Sequence, residues 1–169
     1  LIDVVDLSSR RVFHYDTAGS MSRNDRLNTE DEKPRGIATS EDGSTTWVVD
    51  DKNEVFVYSA DYTLLGSWEI KGIDKAEGVT VVGDSLLIVD RSNRMIATFD
   101  GAASRRSGSQ SPSSRFSLDR NNKNAMDLTS DGVHIWTVDD SSVNAVYRYS
   151  MSGSLEGKWT IDPSNSQPT

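Results

Sequence analysis

Hydrophobic and polar positions alternate along this chain in short runs rather than at helical spacing. Trp47 and Val49, then Val55 and Val57, place apolar side chains on one face at period two, the signature of a half-buried strand. β-Branched and aromatic residues crowd these runs. Turn residues divide them: Asp42-Gly43, Gly83-Asp84, Asp131-Gly132, Asp16-Thr17-Ala18-Gly19 and Ser152-Gly153-Ser154. No segment has a convincing helical period. The pattern predicts an all-β chain.

The runs recur. Asp42-Gly43-Ser44-Thr45-Thr46-Trp47-Val48-Val49-Asp50-Asp51 aligns with Asp131-Gly132-Val133-His134-Ile135-Trp136-Thr137-Val138-Asp139-Asp140. Gly83-Asp84-Ser85-Leu86-Leu87-Ile88-Val89-Asp90 and Ile2-Asp3-Val4-Val5-Asp6 are two further copies. The strand-ending aspartates Asp6, Asp50, Asp90 and Asp139 are 44, 40 and 49 residues apart. Each copy is followed by a second strand ending in an aromatic: Tyr15, Tyr58, Phe99 and Tyr149. Ten residues past Tyr58 and Tyr149 come Trp68 and Trp159, each in a Gly-x-Trp run. Short segments at Gly36–Thr39, Gly78–Val81 and Ala125–Leu128 precede the anchors. Four strands (a, b, c, d) repeated at about 40–50 residues make a β-propeller blade.

The expected units are 1–33, 34–75, 76–123 and 124–169. The first has b, c and d without a. An array open at this point exposes a strand edge and a blade face. The expectation is therefore a partial propeller of about four blades, within a ring of six to eight. Either it is a fragment of a longer chain or it closes by pairing with a second copy, two fours making eight. The expected core is Val4, Ile37, Trp47, Val49, Val55, Val57, Val79, Leu87, Val89, Ile96, Trp136, Val138 and Val146, with the d strands outermost.

Charge narrows the partners. Against 18 Lys and Arg stand 26 Asp and Glu, a formal net charge of −8, which argues against nucleic acid. No apolar run is long enough to span a bilayer, and no signal peptide opens the sequence. There are no cysteines, so disulfides and thiolate metal sites are excluded.

The run Ile88-Val89-Asp90-Arg91-Ser92-Asn93-Arg94-Met95-Ile96 resembles the NHL-repeat pattern, in which Asp, Asn, a basic and an aliphatic residue bridge strands b and c. The Trp-Val-Val-Asp-Asp and Gly-Ser-Trp units are similar to repeats of large secreted bacterial multidomain proteins. That resemblance covers nearly the whole chain. It implies an extracellular or cell-surface bacterial scaffold that binds a protein or a glycan, alongside other blades or domains of a larger chain.

Candidate chemistry is sparse. Asp6, Asp50, Asp90 and Asp139 form either a carboxylate ring for Ca²⁺ or a set of turn caps, and recurrence in every unit favours caps. The doubled acids at Asp50-Asp51 and Asp139-Asp140 lack the spaced ligands of an EF-hand. Glu77-Gly78 resembles one metal-ligand motif of gluconolactonase-type propellers and Asn124-Ala125 half resembles another, so a metal-dependent lactonase is the enzyme alternative. Arg35 occupies the place where an acid would be wanted. His14, on the expected outer face of strand c, and His134, beside a turn, do not pair. No nucleophile motif is present. Phe99 and Phe116 are 17 residues apart, so residues 101–115 form a long basic Ser/Gly-rich loop. Arg105, Arg106 and Arg115 on it are the candidate ligand-binding residues, set against a flexible insertion. Trp47, Trp68, Trp136 and Trp159 recur in register, as blade packing or as stacking platforms for sugars.

Overall fold

The computed structural model describes residues 2–141, 143–165 and 168. The turn that follows Asp139-Asp140 is therefore described as far as Ser141 and again from Val143. The four sheets form a four-blade β-propeller arrangement. The first holds β1 (Ile2–Asp6), β2 (Arg11–Tyr15) and β3 (Met21–Arg26). The second holds β4 (Pro34–Thr39), β5 (Thr45–Asp50), β6 (Glu54–Ser59) and β7 (Leu64–Ile70). The third runs β8 (Ala76–Val82), β9 (Ser85–Asp90), β10 (Met95–Phe99) and, past a 3₁₀ turn at Ala102–Ser104, β12 (Ser114–Ser117). The fourth holds β13 (Ala125–Ser130), β14 (His134–Asp139), β15 (Ala145–Ser150) and β16 (Leu155–Thr160). Each is an antiparallel meander.

The inner strands β1, β4, β8 and β13 pack in that order. Glycine permits the close approach. A Cβ on Gly36 would lie 2.6 Å from the Glu77 carbonyl oxygen, and one on Gly78 would run into Asp127. The backbone register makes Gly36, Gly78 and Asp127 equivalent: Gly36 and Asp127 face Val49 and Val138, and Ala76 and Ala125 hold equal places opposite Asp90 and Asp139.

Three apolar layers fill the blade interfaces. Val12 and Leu27 pack with Val48, Phe56 and Tyr58; Trp47, Val49, Val55 and Trp68 with Leu86, Ile88, Ala97 and Phe99; Leu87, Val89 and Ile96 with Ile135, Tyr147 and Tyr149. Of the expected core, Trp47, Val49, Val55, Val57, Val79, Leu87, Val89 and Ile96 are buried. Val4 is not, being 46% exposed, and Ile37, Trp136, Val138 and Val146 are only partly covered. Apart from Ile37, these residues lie on the two faces that no neighbouring blade covers, and alternation along a strand cannot show whether a blade has a neighbour.

His14 departs from its expected outer position: it is 1% exposed. Its Nδ1 lies 2.7 Å from Asp3 and its Nε2 2.9 Å from Asp25, while Tyr62 of the second blade meets the ring edge-on at 5.1 Å. Each ring nitrogen thus faces a carboxylate, and His14 bridges β1 and β3 at the first blade interface.

The loop between the third blade's c and d strands is structured. Its residues Ser109–Gln110, here β11, pair in parallel with Glu69 and Ile70, adding a fifth strand to the second sheet. This covers an edge that β7 would otherwise leave open. Gly66, at φ +152°, sits so close under the Arg106 carbonyl that a side chain there would strike it.

One position shows how the repeats tune their interiors. Asp31, Ile73 and Asn122 each stand three residues before the start of the a-strand pairing. Tyr58 donates to Asp31 Oδ2 at 3.3 Å, and Asn122 Nδ2 donates to Tyr149 at 3.1 Å. In the third blade the c-strand aromatic is Phe99, which has no hydroxyl, and its counterpart is the apolar Ile73. Asp31 is fully buried, and its Oδ1 has no hydrogen-bond partner. Desolvation, then the neighbouring Asp50, pushes its carboxyl up to about 7.

Candidate binding surfaces

The cleft between the inner strands has two mouths. One, of about 340 Å³, is lined by Asp3, Val4, Leu7, Arg35, Glu77 and Met126. The other, of about 710 Å³, lies between the a–b turns and is lined by Glu41, Trp47, Val81, Asp127 and Ser130 among others. Asp127 at the cleft is held neutral to a higher pH than an ordinary carboxyl, about 6, because it is desolvated.

Glu77 reaches the first mouth from β8 with its side chain 3% exposed. Arg91 approaches Oε1 at 3.4 Å and Arg35 at 3.7 Å, and Lys75 approaches Oε2 at 3.6 Å. Asn124 joins the cluster through the same guanidinium, its Oδ1 accepting from Arg91 Nε at 2.6 Å. The structure thus brings Glu77 and Asn124 together, but around a cationic side chain. The register places Met126, and not Asn124, at the equivalent of Glu77. Ca²⁺ requires six to eight oxygens. One carboxylate and one amide oxygen, both facing Arg91 and flanked by two more cations, do not suit it.

The strand-ending aspartates engage backbone amides. Asp6 accepts from Ser9 N at 2.6 Å, and Asp50 from Lys52 and Glu54, both at 2.9 Å. Asp90 accepts from Asn93 Nδ2 at 2.8 Å and Asp139 from Asn124 N at 2.7 Å. Each stands on its own blade. Among the described residues, no group of three or more His, Asp or Glu side chains is arranged to hold a metal ion.

The loop arginines bond to the chain, Arg105 and Arg106 partly covered and Arg115 exposed. Arg105 donates to Gln110 at 2.7 Å, Arg106 to the Ala103 carbonyl at 2.7 Å, and Arg115 to the Gly72 carbonyl at 3.2 Å. Burial lowers the Arg106 guanidinium below its ordinary value. These bonds lash the loop to itself and to the second blade.

A bare blade face was expected from the sequence, but not which residues line it. Trp68 is 1% exposed against Phe99, with ring centroids 5.7 Å apart, whereas its counterpart Trp159 is 50% exposed. Ile2 and Val4 on β1 are 51% and 46% exposed, whereas their counterparts Leu86 and Ile88 are fully buried. The signal was present in the repeat: residues equivalent to a buried set, on blades that lack a neighbour on one side.

No family model and no curated protein matches the chain. Solved structures do. BamB from Moraxella catarrhalis is 15% identical and aligns over 90% of this chain and 43% of its own, with TM-score 0.53. The Pan2 WD40 domain of Neurospora crassa is 12% identical over 92% of this chain and 48% of its own, with TM-score 0.59. A chain of a nidogen/laminin complex is 12% identical over 90% of this chain and 57% of its own, with TM-score 0.62. The chain spans about half the length of these structures. Likeness at such identity speaks to architecture alone, and the architecture it shows is the β-propeller.

Proposed function

We propose that this chain is a non-enzymatic binding and assembly module, a rigid propeller segment that holds a protein or glycan partner as part of a larger extracellular bacterial protein. The carrying observation is a contrast. The charged groups that could do chemistry already have partners on the chain, Glu77 three cations and Arg105, Arg106 and Arg115 carbonyl oxygens, with Arg115 alone remaining exposed. Large apolar side chains stand in solvent, with Trp159 and Val4 about half exposed. Exposed apolar faces on a rigid scaffold suit macromolecular contact. The extracellular setting rests on the repeat resemblance.

The test sets binding against turnover. The chain is offered sulfated and carboxylated glycans on an array, and gluconolactone hydrolysis is followed with millimolar CaCl₂. The expected result is no turnover above buffer, and the same background for Glu77→Gln. Calcium-dependent hydrolysis that Glu77→Gln abolishes would replace this reading with the lactonase.

A further inference from the structure

We propose that the cleft mouth between the a–b turns takes a lysine or arginine side chain of a protein partner, with Asp127 as its counterion.

Asp127 breaks the repeat. Its equivalents on the second and third inner strands are Gly36 and Gly78, and the fourth blade puts a carboxylate in their place. A Cβ on Gly78 would run into that carboxylate, so the side chain leans over the third blade. Its Oδ1 accepts from the Leu128 amide at 2.8 Å, and desolvation outweighs that bond. A carboxyl that titrates at about 6 is still mostly ionised at neutral pH. Among the described residues no Lys, Arg or His lines the mouth to balance it. A desolvated carboxylate without a partner is costly, and an incoming cation relieves that cost.

The mouth suits a cation on an aliphatic stem. Val79, Val81 and Leu128 line its space of about 710 Å³, and Glu41 stands exposed on the rim. Asp131, also on the rim, is taken up by the amides of Val133 and His134. An apolar passage that ends at one carboxylate matches the stem and the head of Lys or Arg. Trp47 points to a peptide as the bearer. It lines the mouth at 3% exposure, and its indole N–H has no hydrogen-bond partner. A peptide brings carbonyl acceptors for such a donor, and a free amine brings none.

This surface does not depend on the number of blades in the ring. Its walls belong to the second, third and fourth blades. Inner strands line the central channel of a propeller, and added blades widen that channel without covering them.

The inference deepens the reading of the chain as a binding module and rests on it. The test titrates end-blocked Gly-Arg-Gly and Gly-Lys-Gly into the whole 169-residue chain at neutral pH, followed by two-dimensional amide NMR. Gly-citrulline-Gly is the uncharged isostere, and n-butylguanidinium stands for a free small cation. The expected result is saturable shifts of the Trp47 indole and the Asp127 and Leu128 amides with the Arg or Lys peptide. Binding of the citrulline peptide and of n-butylguanidinium is expected to be weaker by roughly tenfold or more. Asp127→Asn keeps the side chain's size and its bond from Leu128, so the variant folds with the parent's urea midpoint or a higher one. It should bind the Arg peptide roughly tenfold more weakly or worse. Shifts that do not saturate, equal binding of the citrulline peptide, or undiminished binding by Asp127→Asn overturns the proposal. n-Butylguanidinium binding as tightly as the peptides overturns the protein source. The citrulline comparison needs no variant. Failure here leaves the module reading to the glycan and lactone measurements.

Discussion

Replacing Asp31 by Asn removes a titration that works against the fold. In the unfolded chain this carboxyl loses its proton near 3.8, whereas in the fold it holds it up to about 7. Between those values the folded state binds more protons than the unfolded state. Stability is therefore full below pH 3.8 and falls as pH rises through about 7. A gap of about three units at ~1.4 kcal/mol each gives about 4 kcal/mol as an upper figure. The protein supplies its own precedent, since Asn122 holds the equivalent place and bonds Tyr149. Urea midpoints at pH 4.5, 6 and 8 read the effect. Asp31→Asn should flatten the decline between pH 4.5 and 8 and be clearly more stable than the parent at pH 8. Asp50 and Asp127 are also raised, so some slope remains. An unchanged slope, or a variant weaker than the parent at pH 8, would show that Asp31 is charged and stabilised in the fold, and the argument from desolvation would fail.

His14→Ala removes the imidazole between Asp3 and Asp25, leaving Thr39 on Asp3 at 3.2 Å and Arg23 on Asp25 at 3.1 Å as partners, and should cost about 1–3 kcal/mol in chemical denaturation; a loss well under about 1 kcal/mol would mean that these partners and water replace the imidazole. Gly66→Ala drives a methyl into the Arg106 carbonyl, so trypsin should cut after Arg105 or Arg106 in the variant and spare the parent; equal resistance would show that β11 shifts without detaching. Phe99→Tyr puts a hydroxyl opposite Ile73 and should cost about 1–3 kcal/mol, with Ile73→Asn recovering part of it in the double variant; additive losses would break the proposed link between these two positions.

Repetition made the blades readable, because four copies of one pattern mark the same strands. It also hid what differs between copies. Trp68 and Trp159 sit in matching Gly-x-Trp runs but are 1% and 50% exposed, since exposure depends on the next blade and not on the strand. The inner strands misled by two residues: Asn124-Ala125 looks like the counterpart of Glu77-Gly78, but the strand register before Asp127 moves Met126 into that place. The loop at 101–115 has the composition of a flexible insertion, and its order comes from the neighbouring edge of β7 and from hydrogen bonds that no local pattern announces. His14 carried no local sign of burial, because its partners Asp3 and Asp25 lie on flanking strands and become neighbours only by pairing.

The parallel pairing of β11 with β7 also has a mechanical side. A segment of the third blade is bonded along the rim of the second, with Arg115 tied to Gly72 nearby. A pull that separates these two blades meets bonds that must break together, in shear, before the apolar layer beneath can open. The strap thus gives the junction between the second and third blades a load path through backbone hydrogen bonds in addition to side-chain packing.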